Sequence, residues 1–203
     1  QQQSLNAYHL AKCAVRQARD SRYEAQVAQF GARIGRSDVE VFLMGAGASC
    51  QLDGFYHGHT DQHLDNHSAI HHLASHTTSG QHYKGVLDDK ATGIFRGNVL
   101  IYPESRGCST EQLNRNLLLS ERATVHTKPQ LEIDNDDVTA SHGATVGQLD
   151  ETAMFYLRSR GISTKQARRL LIFAFAGEIV ANITLPALQE LLRDELALRL
   201  ARL

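Results

Sequence analysis

The stretch "ATVHTKPQLEIDNDDVTASHGATVG" (residues 123–147) carries the decision about the fold. Its first eleven residues alternate apolar or small with polar side chains, the two-residue period of a half-buried strand. The acidic run Asp134, Asp136 and Asp137 punctuates the chain, and "ASHGATVG" then resumes with His142 ahead of Gly143 and Gly147. A histidine in that setting has three readings: metal ligand, catalytic base, or polar residue on a strand edge.

The same texture extends backwards. "YEAQVAQF", "VEVFLM" and "GIFRGNVLIY" alternate in the same way, with Gly, Asn, Asp and Ser between them at intervals of about 8–12 residues. That is the pattern of a sandwich, a barrel or a β-helix. "YHLAKCAVRQARDSRY" fits both a helical and a strand period, and strand is the reading adopted. The glycines at 45, 47, 54, 58, 80, 85, 93, 97 and 107 read as turns that keep every strand short. Short rungs in series without helices suit a parallel β-helix. Composition alone leaves sandwich and β-helix level.

From Asp150 the texture is helical. Asp150 is an N-cap for "ETAMFYLRSR", and Gly161 suits the position just past its end. Ser163 and Gln166 form a capping box ahead of "ARRLLIFAFAGEIVANI", where Leu170 to Ala176 is apolar on every face. Thr184 and Pro186 open a last helix with a stripe of Leu188, Leu191, Leu192 and Leu196. Residues 1–149 are therefore expected to form the β core and 150–203 a helical appendage.

The chain has 203 residues, 42% apolar and 21% charged, with a net charge of −1. That balance carries no electrostatic footprint for nucleic acid or an anionic membrane. No apolar run approaches the roughly 20 residues of a membrane helix. Cys13, Cys50 and Cys108 are few, odd in number and far apart, which fits a reducing compartment and a cytoplasmic location. The start, without Met, reads as the middle of a longer chain. Asp88/Asp89 and Asp136/Asp137 read as solvated turn residues.

Seven of the eleven histidines fall between His57 and His76. His57, His59 and His63 resemble half of a cupin metal motif, placed by alternation on one strand face, with His72 and His76 on the other. The motif's glutamate is replaced by His63, and no second half follows. The plainer reading is polar residues exposed on successive rungs. A metal enzyme built on His57, His59 and His63 is the alternative reading of function.

Three stretches together resemble one family: "HLDNHSAIHHLASHTTSGQHYKGVLDDKATGIFRGNVLIY", "TEQLNRNLLLSERATVHTKPQLEIDNDDVTASHGATVGQLDETAMFYLRSRGI" and the helix that follows. It is the SufB/SufD family of iron–sulfur cluster assembly proteins, and the likeness covers roughly residues 40–180. It implies a right-handed parallel β-helix with a C-terminal helical domain, and a further N-terminal helical region expected to be missing from this chain. "SHGATVG" and "MFYLRSRG" look like the SufD-like branch. The cysteine of SufB-like chains is replaced by Ile133, their glutamate after the histidine by Gly143, and a cysteine common in SufD relatives by Ala140. The resemblance thus implies a non-catalytic subunit that pairs with a SufB-like subunit through the last rungs. It implies contact with a SufC-like ATPase through the helix from Thr164, at Thr164, Arg168, Leu171 and Phe175. It makes His142 a ligand for iron or a cluster at the shared interface, with no cofactor held tightly by this chain alone. A homodimer of the isolated chain is a further expectation, because an open β-helix end exposes unpaired backbone.

Overall fold

The computed structural model describes residues 3–183 and 185–200. Ten strands follow one another: β1 (Tyr8–Gln17), β2 (Arg22–Gln29), β3 (Ile34–Leu43), β4 (Ser49–Gly58), β5 (His63–His72), β6 (Thr78–Leu87), β7 (Thr92–Ile101), β8 (Cys108–Leu118), β9 (Thr124–Ile133) and β10 (Val138–Gly147). The ambiguous N-terminal stretch is a strand, β1. Odd strands form one sheet in the order β1-β3-β5-β7-β9, and even strands a second in the order β10-β8-β6-β4-β2. All pairings are parallel. Two strands per coil and five coils make a parallel β-helix, as the family resemblance implied. In its middle each coil advances the chain by 29 residues, as in Ile34↔His63↔Thr92.

Corners are built from residues with positive φ two or three positions before a strand: Asp20, Ala32, Thr60, His76 and Asp89. Short polar side chains dominate that set, which is why the polar punctuation in the sequence was informative.

Each strand sends alternate side chains inward. One core cluster joins Val39, Val41, Leu43, Leu52, Ile70, Phe95, Val99 and Ile101 from both sheets. The strands run 8 to 11 residues, longer than the glycines suggested. Gly54, Gly58, Gly80, Gly85, Gly93 and Gly97 lie within strands and make no turns. The reason is space. A Cβ on Gly54 would overlap the ring of Tyr83, its register partner, and one on Gly85 would overlap the ring of Tyr56, its own partner. Glycine here is a hole for a neighbouring aromatic knob.

The interior is also polar in part, and mostly paired. Ser68 donates to Gln81 Oε1 at 3.0 Å, and Gln112 Nε2 donates to the same oxygen at 2.7 Å. His72 is held by Thr77 at 2.7 Å and Ser79 at 2.9 Å, and Ser79 meets Thr110 at 2.8 Å.

Three helices follow: α1 (Glu151–Ser159), α2 (Thr164–Ala181) and α3 (Pro186–Leu200). Asp150 caps α1 and Ser163 closes a capping box with Gln166, as the sequence indicated. Gly161 takes φ +86 just past α1. Thr184 lies outside the described residues. Helices α2 and α3 lie on the outer face of the even sheet, where Ile172, Ala176, Ile179, Val180, Leu196 and Leu200 share a core with Phe30, Phe55, Val86 and Leu117. Leu188 and Leu192 pack against this core, whereas Leu191 is exposed. The all-round apolar run of α2 is covered on one face: Ile172 and Ala176 are buried, Leu170 and Phe173 exposed. Buried Lys84 of β6 also joins sheet and helix. It pairs with Glu178, donates to the Phe175 carbonyl at 2.9 Å and lies 4.6 Å from the Phe175 ring centroid. Burial pulls its pKa below the ordinary lysine value, against the opposing pull of Glu178.

Candidate functional site

The last coil ends the solenoid. β9 and β10 each have one pairing neighbour, β7 and β8, and a second edge free of any described strand. The residues of β10 are exposed or half-buried on both faces, in contrast to β8 beneath it. This open end is where His142 lies.

Register fixes its place. Leu52, Gln81, Gln112 and His142 form one inward column through four successive coils. The opposite sheet is located by contacts across the interior. Ser68 meets Gln81, and in the next coil a Cβ on Gly97 would overlap the Gln112 amide. Pro129, the register partner of Gly97, therefore stands opposite His142. By the same logic His72 faces Thr77 and Ser79, so Ile133, two register steps on, stands opposite Val138 and Ala140. Three of the four positions singled out by the family resemblance, Ile133, Ala140 and His142, thus share the mouth of the solenoid, and the fourth, Gly143, follows on the same strand.

What the mouth offers chemically is narrow. His142 is exposed, and Ile133, 39% exposed, supplies only hydrocarbon. Beneath His142, Gln112 is fully buried and its Oε1 has no partner, and Thr127 Oγ1 of β9 also has none. The nearest thiol in register is Cys108, under Val138. It is buried against Thr77 Oγ1 at 3.2 Å and the Ala74 carbonyl at 3.5 Å. Among the described residues the mouth contributes one imidazole and no thiolate, so any multidentate metal site there takes its remaining ligands from elsewhere.

The histidine cluster is dispersed. His57 is the second-last residue of β4 in the even sheet, His59 follows in the corner, and His63 begins β5 in the odd sheet. Thr60, with φ 57, turns the chain between them, so the expected single strand face does not exist. The His57 and His59 ring centroids are 6.0 Å apart, and among the described residues no group of three His, Cys, Asp or Glu side chains converges as a metal site. The expectation of exposed rungs fails for two members. His57 is buried under the helices with neither ring nitrogen bonded, and His72 is buried inside the solenoid. Burial, aided at His57 by His59 and Arg199, lowers both pKa values to about 4. His67 and His71 instead face outward on the odd sheet, with His76 at a corner.

The four α2 residues divide. Arg168 donates to the Leu119 carbonyl at 3.0 Å and lies 3.7 Å from Asp88, and Phe175 packs on the shared core, so both face the β-helix. Leu171 is half-buried and Thr164 exposed. The apolar surface left open here is Phe155 and Tyr156 of α1 with Leu170 and Phe173 of α2. Within the apolar run 170–176 the sequence did not separate Leu170 and Phe173 from the buried members, nor mark Phe155, Tyr156 or Lys84, because their facing depends on how the helices dock.

The family model described as "SUF system FeS cluster assembly, SufBD core domain" matches residues 1–175, further towards the N-terminus than the motifs alone indicated. The chain is 38% identical over 194 residues to an iron–sulfur cluster assembly SufBD family protein of Synechocystis sp., covering 96% of this chain and 43% of that protein. It is 32% identical over 189 residues to the iron–sulfur cluster assembly protein SufD of Escherichia coli, covering 93% and 43%. With SufD of Bacillus subtilis it shares 40% identity over 106 residues, covering 52% and 24%. It spans less than half the length of these relatives. Together with the five-coil parallel β-helix, these matches show that the chain is a SufD-like member of the SufBD family of the SUF iron–sulfur cluster assembly system.

Proposed function

We propose that this chain supplies the β-helix core and C-terminal helices of a non-catalytic subunit in SUF iron–sulfur cluster assembly. Its free strand edges at β9 and β10 pair with a SufB-like subunit. The α1 and α2 surface of Phe155, Tyr156, Leu170 and Phe173 meets a SufC-like ATPase. His142 provides one ligand to iron or a nascent cluster shared between the two β-helices, and the partner supplies the thiolates. The cytoplasm is the expected location.

The observation that carries this reading is the open mouth. Two unpaired parallel edges favour strand addition by a partner, and an exposed imidazole at that junction suits a bridging ligand. No helix of the described residues is long and apolar enough to cross a membrane. A metal enzyme on His57, His59 and His63 has no comparable support, since the three do not share a strand face.

The test is co-expression of the full-length protein with its SufB-like and SufC-like partners, comparing wild type with His142→Ala. Normal complex yield with loss of iron and sulfide is the expected result. Unchanged iron and sulfide would remove His142 from cluster building, and absence of a complex in the wild type would overturn the pairing.

A further inference from the structure

The outer face of the odd sheet points to a second site, unrelated to the mouth. In its first coils this face neutralises itself. Lys12 pairs with Glu40 at 3.3 Å. Arg36 holds Asp38 and Asp65, both at 3.0 Å. His67 Nε2 lies 2.9 Å from Asp65, and its Nδ1 accepts from Arg36 at 3.1 Å.

Further along the same face the pattern breaks. Arg96 of β7 and Lys128 of β9 are register partners, both outward and exposed. Neighbouring strands lie about 4.8 Å apart, so the two side chains leave the sheet from adjacent positions. Among the described residues neither has an acidic partner, a hydrogen bond or a ring contact. Glu132, the nearby carboxylate on β9, is engaged by Asn98 Nδ2 at 3.0 Å. Arg96 and Asn98 also line a groove of about 360 Å³ with Ala69 and His67, where the carboxylates Asp38 and Glu40 are already paired with Arg36 and Lys12. Ala69 opens it, because a methyl group stands in register between the long side chains of Glu40 and Asn98. The Asn98 Oδ1 is shielded from solvent and has no partner.

We propose that Arg96, at the edge of this groove, and its register neighbour Lys128 bind an oxyanion between them. Two adjacent unpaired cations repel each other, and an anion between them removes that repulsion. The guanidinium fork matches the paired oxygens of a phosphate or carboxylate, and the ammonium adds a point charge. The ligand class is therefore a small phosphorylated or carboxylated molecule.

The test is isothermal titration of the full-length protein with inorganic phosphate and, separately, with citrate. Arg96→Gln, Lys128→Gln and Lys90→Gln variants are compared with wild type. These side chains are exposed, so the variants should keep the wild-type thermal midpoint. One saturable site is expected for at least one anion, weakened about tenfold by Arg96→Gln, less by Lys128→Gln and unaffected by Lys90→Gln, at an exposed corner outside the groove. Tighter phosphate binding would assign a phosphorylated ligand, and tighter citrate binding a carboxylate. Absence of saturable binding by either anion, or equal binding by Arg96→Gln, would overturn the proposal.

Discussion

The two sheets of the solenoid repeat the same coil yet present opposite outer faces. The even sheet turns Phe55, His57, Val86 and Leu117 outward, and α2 and α3 cover them. The odd sheet turns Arg36, Asp38, Glu40, Asp65, His67 and Arg96 outward and carries none of the described helices. Inward residues are alike in kind on both sides. Outward residues alone thus decide where the helices dock: an apolar face recruits an amphipathic cover, and a charged face remains in water.

The largest test of that contrast is Phe55→Ala. It removes a buried ring from beneath the helices and should cost about 3–5 kcal/mol in urea unfolding, whereas Ile94→Ala, half-buried on the bare face, should cost less than about 1 kcal/mol. Equal costs would mean that the helices add little to the even sheet. Next comes Glu178→Ala, which leaves Lys84 buried without its carboxylate. Because Glu178 is itself 61% exposed, the expected loss is about 1–3 kcal/mol. Lys84→Met should cost less than Glu178→Ala, since it removes the buried charge along with its partner's role.

Acid sharpens the comparison further. Burial holds His57 and His72 at a pKa of about 4, below the ordinary 6.5, so the unfolded chain takes up protons first as pH falls. Their contribution to stability is complete above about pH 6.5 and declines between there and about pH 4. His57→Leu, which replaces an unbonded buried imidazole with hydrocarbon, should flatten that decline and raise stability at pH 7 by about 1 kcal/mol. A steeper decline in the variant would refute the assignment. The smallest effect belongs to the bare face. Lys12→Gln breaks an exposed pair and should change stability by less than about 0.5 kcal/mol, a difference that vanishes in high salt.

Much of this architecture is legible in the sequence. Alternation located the strands, and Asp150, Ser163, Gln166 and Gly161 marked the helix ends because caps are local chemistry. The choice of β-helix over sandwich was not local. It depends on which strand pairs with which, 29 residues away, and needed the family resemblance. The glycines misled because a turn and a hole for a distant tyrosine require the same residue. His57, His59 and His63 misled because a corner at Thr60 is invisible to a two-residue period. His142 was legible as unusual, but its place at the mouth beside Ile133 and Ala140 follows only from register across two sheets.

The tyrosine–glycine pairs have a consequence for folding fidelity. A strand that slips by two residues keeps every inward side chain inward, so the alternating pattern does not forbid that error. Between β4 and β6 the correct register matches Gly54 with Tyr83 and Tyr56 with Gly85. A slip in one direction would set Tyr56 against Tyr83 in a space already filled. A slip in the other would set Gly54 against Gly85 and leave a void. Knob and hole together act as a key that admits one alignment, and they guard the coil on which the later ones are stacked.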